Sequence, residues 1–191
     1  MIGIGVGLAS VAGVRAFLPL ALAVLFVLLG LSEPPSPYVG VSGDEWWWSA
    51  LAVLAGLSIV EIILDKIRVL ERAFNYAMVP VRAFSGGLLF TAALGLDLDL
   101  GSLPSLAAGA VIAGIIAVLK VLLRPLARVE ASGVSTRFLS FAEDVVALIG
   151  GAVGALIPFV PLFLVGFLLF FYSRVRKRRG RKYGGLRILG D

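Results

Sequence analysis

Glu61 and Asp65 stand four residues apart, so on a helix they share one face and present two carboxylates to the same space, with Lys66 directly after them. Glu143 and Asp144 form a second acidic pair in a later apolar stretch. If Arg137 marks a membrane interface, that pair lies on the order of 10 Å deep at ~1.5 Å of rise per helical residue. Arg15, Arg82, Lys120 and the polar Asn75 fall at comparable positions along their own apolar stretches. Ionisable groups at such depth are costly and face a partner or a water-filled cavity. Three chemistries are open to them. The carboxylates bind a cation or relay protons, the arginines hold a lipid phosphate, or acids and bases act in sequence within a transport cycle. Against these stands a structural reading, in which Glu61, Asp65, Glu143 and Asp144 pair with Arg15, Lys66, Arg82 and Lys120 to lock helices together. The candidate set for binding an ion or small ligand is Arg15, Glu61, Asp65, Lys66, Arg82, Glu143 and Asp144. Whether a metal is among those ions is left open by the residue types.

The chain has neither His nor Cys. That removes Ser-His-Asp triads, zinc-dependent intramembrane proteolysis, thiolate chemistry and disulfides. No nucleophile and base pair stands out, so an enzyme is not expected, and no cofactor is implied.

The elements that must position these groups are helices in lipid. Of the 191 residues 60% are apolar and only 15% charged, a balance that a soluble domain of this size could not carry on its surface. The apolar residues come in blocks of about 15 to 25, the length that crosses a hydrocarbon core roughly 30 Å thick. No strand-like alternation is visible. Met1 to Ser10 lacks the basic region of a cleavable signal peptide and is read as part of the mature chain. Arg15 and Pro19 interrupt the first apolar stretch, Ile2 to Leu31, which divides into a Gly-rich leading segment on the inner side (Ile2 to Val14) and a first crossing from Ala16. Further crossings are expected over about 47–65, 77–96 and 103–123. Phe138 to Tyr172, broken by Pro158 and Pro161, holds either two short crossings or a deep hairpin. The fold expected is all-α: a polytopic transmembrane bundle of about six crossings over residues 1–173, with a Pro-broken final hairpin and a basic cytoplasmic tail over 174–191.

Charge placement gives an orientation. All 17 Lys and Arg residues fall at inner helix ends, in the two inner connections or in the tail, whereas the outer loops carry only Glu33, Asp44, Glu45, Asp97 and Asp99. By the positive-inside rule both termini are cytoplasmic and the location is the inner or plasma membrane. The basic tail from Arg174 is expected to touch anionic lipid headgroups. Nucleic-acid binding lacks a reading element, and a homo-oligomer is left open.

Val14-Arg15-Ala16-Phe17 recurs as Val81-Arg82-Ala83-Phe84, with Thr136-Arg137-Phe138 as a looser copy. The plain reading is an arginine anchor at each inner interface. Gly3 with Gly7, and Gly150 with Gly154, have the small-xxx-small spacing that allows close helix packing, and Ser85-Gly86-Gly87 after Pro80 is a candidate hinge.

Ala9-Ser10, Gly13-Val14-Arg15-Ala16-Phe17-Leu18-Pro19-Leu20, Glu61, Asp65-Lys66-Ile67, Val81-Arg82, Ser85-Gly86-Gly87 and Ser140-Phe141-Ala142-Glu143-Asp144 occur in this order. Together they resemble the bacterial membrane family catalogued as domain of unknown function 4126, over roughly Gly7 to Phe171. Arg68 departs from the proline that the family pattern places after Lys66-Ile67. The resemblance implies the helical membrane architecture and draws attention to the charged positions; it implies no particular activity. On the residues, the leading expectation is a transporter or channel-like protein for a small ion, anionic metabolite or anionic lipid. The alternative is a membrane scaffold whose charges are structural pairs.

Overall fold

A computed structural model describes residues 1–31, 44–67, 71–96, 100–124, 136–154 and 156–184. Those residues form seven α-helices, α1 (Ile2–Val14), α2 (Phe17–Leu28), α3 (Asp44–Lys66), α4 (Glu71–Ala93), α5 (Leu103–Leu123), α6 (Thr136–Gly154) and α7 (Val160–Gly184), with a single 3-10 turn before α5 and no strand among them. The all-α class expected from the sequence is the class observed.

Helices α1 and α2 are separated by an extended residue, Arg15, at φ −135° and ψ 127°. Pro19 accounts for the break. It has no N–H to donate to the Arg15 carbonyl four residues back, and its ring would collide with that carbonyl in a continuous helix, whereas in the first turn of a new helix neither matters. At their far ends α2 and α4 stop in the same way. Gly30 and Gly95 adopt φ +68°, and Leu31 and Leu96 donate back to the carbonyls of Phe26 and Thr91. This is the Schellman arrangement, which needs a residue free to be left-handed.

Helix α1 is the centre of the bundle, with every residue from Gly7 to Val14 buried. It belongs to both apolar clusters: Val11 and Val14 pack with Leu139, Ala147, Val165, Leu168 and Tyr172, and Leu8 and Ala12 with Leu89 and Ala113. Its glycines permit the close approach. A Cβ on Gly3 would lie 2.8 Å from the Phe159 ring, and one on Gly7 3.2 Å from Pro161. Gly150 and Gly154 of α6 face Val11 and Leu8 in return. The Gly3 end of α1 is therefore packed on the turn between α6 and α7, at the end of the bundle away from Arg15. This differs from the inner-side leading segment expected for Ile2 to Val14. Small-residue packing draws that segment into the bundle as a half-length helix whose Val14 end, not its Ile2 end, lies at the buried charges.

Helix α4 runs unbroken through Pro80 and Ser85-Gly86-Gly87. No hinge forms there, because Gly86 and Gly87 are taken up by packing on Leu106, Gly109 and Ala113 of α5. Helix α7 continues without interruption from the apolar stretch into the basic residues as far as Gly184.

The bundle is apolar outside and charged inside. Trp46, Trp48, Val53, Ile59 and Ile63 of α3, Val111, Ile115 and Leu122 of α5, and Phe163, Phe167 and Phe170 of α7 are exposed, whereas Arg15, Arg82, Lys120, Glu61, Asp65 and Glu143 are buried. Residues 45–66 and 103–123 are each long and apolar enough to cross a membrane, and both are mostly unburied, unlike the core helix of a soluble protein. Helices α1 and α2, at 13 and 12 residues, are shorter.

Candidate functional site

The helix break leaves backbone groups that need partners, and charged side chains from other helices supply them. At the end of α1 the Val14 carbonyl accepts from Lys120 Nζ of α5 at 2.9 Å. At the start of α2 the N–H groups of Ala16 and Phe17 donate to the Glu61 carboxylate of α3 at 3.1 and 3.4 Å. Each charge has the sign that the adjoining helix end favours, a cation at the C-terminus and an anion at the N-terminus.

From these two contacts a continuous network spreads. Arg82 of α4 donates through Nη2 to Glu61 at 3.2 Å and through Nη1 to Asn75 at 3.1 Å. Asn75 donates to Asp65 at 2.7 Å. The same Asp65 accepts from Arg15 Nη2 at 3.0 Å, Arg124 Nη1 at 2.7 Å and Ser140 Oγ at 2.9 Å. Glu143 of α6 is held by Lys120 at 2.8 Å, Arg124 at 3.4 Å, Arg15 at 3.6 Å and the Tyr172 hydroxyl of α7 at 2.5 Å. Asp144 lies 2.6 Å from Arg15 Nη2 and 3.7 Å from Lys66 Nζ. With Lys66 44% and Asp144 16% exposed, this corner is the solvated rim of a cluster whose other ionic groups are nearly sealed.

All seven sequence-predicted residues thus meet in one network, with Lys66 at its edge. Among the described buried groups four cations, Arg15, Arg82, Lys120 and Arg124, face three carboxylates, Glu61, Asp65 and Glu143, and the partly exposed Asp144 with Lys66 closes the cluster at its rim. Pairing makes the burial tolerable, since each charge has an opposite one within ion-pair distance and the pairs share further hydrogen bonds. No group of three or more acidic side chains among the described residues is placed to hold a metal; the oxygens that would serve are directed at cations instead.

The sequence reading left Arg124 and Tyr172 out of the site, quoted Ser140 only within the family pattern, held Lys120 only as a pairing partner in the structural reading and Asn75 only as a polar neighbour. Arg124 follows Lys120 by four residues, and that spacing places the two on one helix face and could have brought Arg124 in. For Tyr172, at the end of the last apolar run, no comparable signal exists, because an interfacial tyrosine has the same sequence context.

Not every polar atom is satisfied. Arg15 Nε and Nη1 and Arg82 Nε are buried without a hydrogen-bond acceptor among the described residues. Arg15 concentrates its contacts on Nη2 alone.

No curated protein and no solved structure matches the chain. The family model described as Domain of unknown function (DUF4126) matches residues 2–178, nearly the whole length and every element that contributes to the charged network, so the chain belongs to that family.

Proposed function

We propose that the chain is a multi-pass protein of the inner or plasma membrane that moves a small ion or anionic solute past the helix break at Arg15 and Ala16, and that the charged network is its closed state. In this reading α3 to α7 cross the membrane, and α1 and α2, at 13 and 12 residues, are two half-length helices that meet at the break. The basic side, with the tail beyond Tyr172 and the end of α5, faces the cytoplasm. The packing of Gly3 on Phe159 supports placing the start of α1 toward the opposite leaflet, so the cytoplasmic N-terminus expected from charge alone is not carried forward.

One observation carries the transport reading: the break between α1 and α2 is buried inside the bundle, with both open helix ends held by charges from other helices. Irregular backbone at membrane depth is tolerated where it is buried in protein or lines a pathway, and discontinuous helices recur at the binding sites of transporters. A simple anchor has no need of such a break. The second reading, structural locking, is favoured by the closure of every carboxylate in the cluster onto a cation.

The two readings separate on Asp144→Asn, a change at the partly solvated rim. Purified full-length protein in proteoliposomes is assayed for flux of acetate, chloride and sodium, and the same preparation for thermal stability. Transport requires that the variant lose flux while its stability stays close to that of the parent chain. Wild-type liposomes with no flux of any of the three, together with a marked loss of stability in the variant, would leave only the lock.

A further inference from the structure

The Glu61 carboxylate fills an anion site that other elements build. Its oxygens accept the N–H groups of Ala16 and Phe17, the first open donors of α2, and Nη2 of Arg82 on α4. None of these donors belongs to α3, so the set would stand without Glu61. Helix starts with convergent N–H groups and a guanidinium bind carboxylate and phosphate groups.

A second observation shows that Glu61 fills this site incompletely. Arg82 is buried, and its Nε has no acceptor among the described residues. In a guanidinium the Nε–H and one Nη2–H are parallel and form one planar fork, which a two-oxygen anion accepts with both oxygens. Glu61 divides its oxygens between two backbone N–H groups and Nη2, and so engages one tine of the fork. Its tether to α3 sets that limit. A free anion has no such tether.

We propose that the start of α2 together with Arg82 is a binding site for a small two-oxygen monoanion, a carboxylate or a phosphodiester group, and that Glu61 occupies it here as a stand-in which the free anion displaces. The inference names a substrate class for the transport reading and rests on it for why the anion would come and go, but binding tests it independently of flux. The groups facing Glu61 are Arg82 from α4, Arg15 from the break and Asp65 from the next turn of α3. Beyond them Lys120 and Arg124 of α5 and Glu143 and Asp144 of α6 complete the shell.

The test is chemical rescue. Full-length Glu61→Ala in maltoside micelles, which contain no phosphate, should melt below the parent chain, and acetate should raise its melting temperature more than it raises that of wild type. Chloride and the cation tetramethylammonium should not reproduce the shift. Arg82→Gln added to Glu61→Ala should abolish it. If Glu61→Ala does not fold even in acetate, Glu61→Gln serves instead: it should bind radiolabelled acetate about tenfold more tightly than wild type. The same micelles with added phosphatidylglycerol distinguish the sources, since rescue by that lipid without acetate identifies the phosphodiester, and rescue by acetate alone identifies a free carboxylate. No rescue by either, or acetate binding equal in Glu61→Gln and wild type, overturns the site. Acetate binding without flux in liposomes would retire the transport reading and leave the site standing.

Discussion

Arg124 and Tyr172 share the Glu143 carboxylate, but losing them has unequal consequences. Arg124→Gln removes the cation at 2.7 Å from Asp65 and 3.4 Å from Glu143, leaving two buried acids short of charge. Breaking a buried pair in this way costs about 3 to 5 kcal/mol. Tyr172→Phe removes one neutral donor from Glu143, which keeps Lys120 at 2.8 Å, and costs about 1 to 3 kcal/mol. Reversible unfolding in mixed micelles should rank Arg124→Gln as the more destabilised variant; the reverse order would mean that the hydroxyl, not the cation, organises Glu143. Position along apolar stretches was enough to single out Glu61, Asp65, Arg82, Glu143 and Asp144, because charge at depth has few uses. It was not enough for Arg124. An arginine at the end of an apolar helix is ordinarily read as a snorkelling anchor, and its inward turn depends on acids contributed by α3 and α6, distant in the chain.

At the scale of elements, the contact between α4 and α5 is set by backbone proximity and not by side-chain volume. A Cβ on Gly109 would meet the Gly86 carbonyl oxygen at 2.5 Å, and one on Gly13 the Ala113 carbonyl oxygen at 2.6 Å. Backbone cannot step aside as a side-chain tip can. Gly109→Ala should therefore destabilise the bundle by about 1 to 3 kcal/mol or more, the usual cost of overpacking. Gly56→Ala, on α3 with nothing within 4 Å, should be neutral or gain up to ~1 kcal/mol from helix propensity. Equal effects in the same unfolding measurement would show that α4 and α5 are not in close contact. The spacing of Gly3 with Gly7 and of Gly150 with Gly154 signals tight packing, and these four residues do lie at the contacts of α1 with α6 and α7. Ser85-Gly86-Gly87 illustrates the opposite case. Flexibility and close packing call for the same residues, and only the presence of Gly109, Leu106 and Ala113 opposite decides between them. The break at Arg15 was visible through Pro19, whereas its purpose, two helix ends answered by Glu61 and Lys120, depends on contacts 45 and 106 residues apart in the chain.

For the whole molecule, hydropathy and basic residues suggest an orientation, and the packing of α1 modifies it. Along α6, Glu143 and Gly154 are eleven residues apart, about 16 Å at ~1.5 Å per residue, so the turn at Leu156 to Phe159 lies well away from the charged network. The Gly3 end of α1 is packed against that turn, and Lys177 belongs to the opposite end, beyond Tyr172 on α7. In the orientation proposed from the positive-inside rule, that basic end faces the cytoplasm. Because the chain contains no cysteine, single-cysteine variants report sidedness without background. Leu156 and Ile2 are exposed, at 79% and 66%, so cysteines placed there meet reagent without disturbing the core. In intact cells a membrane-impermeant maleimide should label Leu156→Cys and Ile2→Cys, whereas Lys177→Cys should react only after permeabilisation. Labelling of all three before permeabilisation would mean that the bundle does not span the membrane with its basic end inside. If Ile2→Cys reacts only along with Lys177→Cys, α1 lies at the cytoplasmic face after all, and the buried break between α1 and α2 can no longer be placed on a pathway through the membrane.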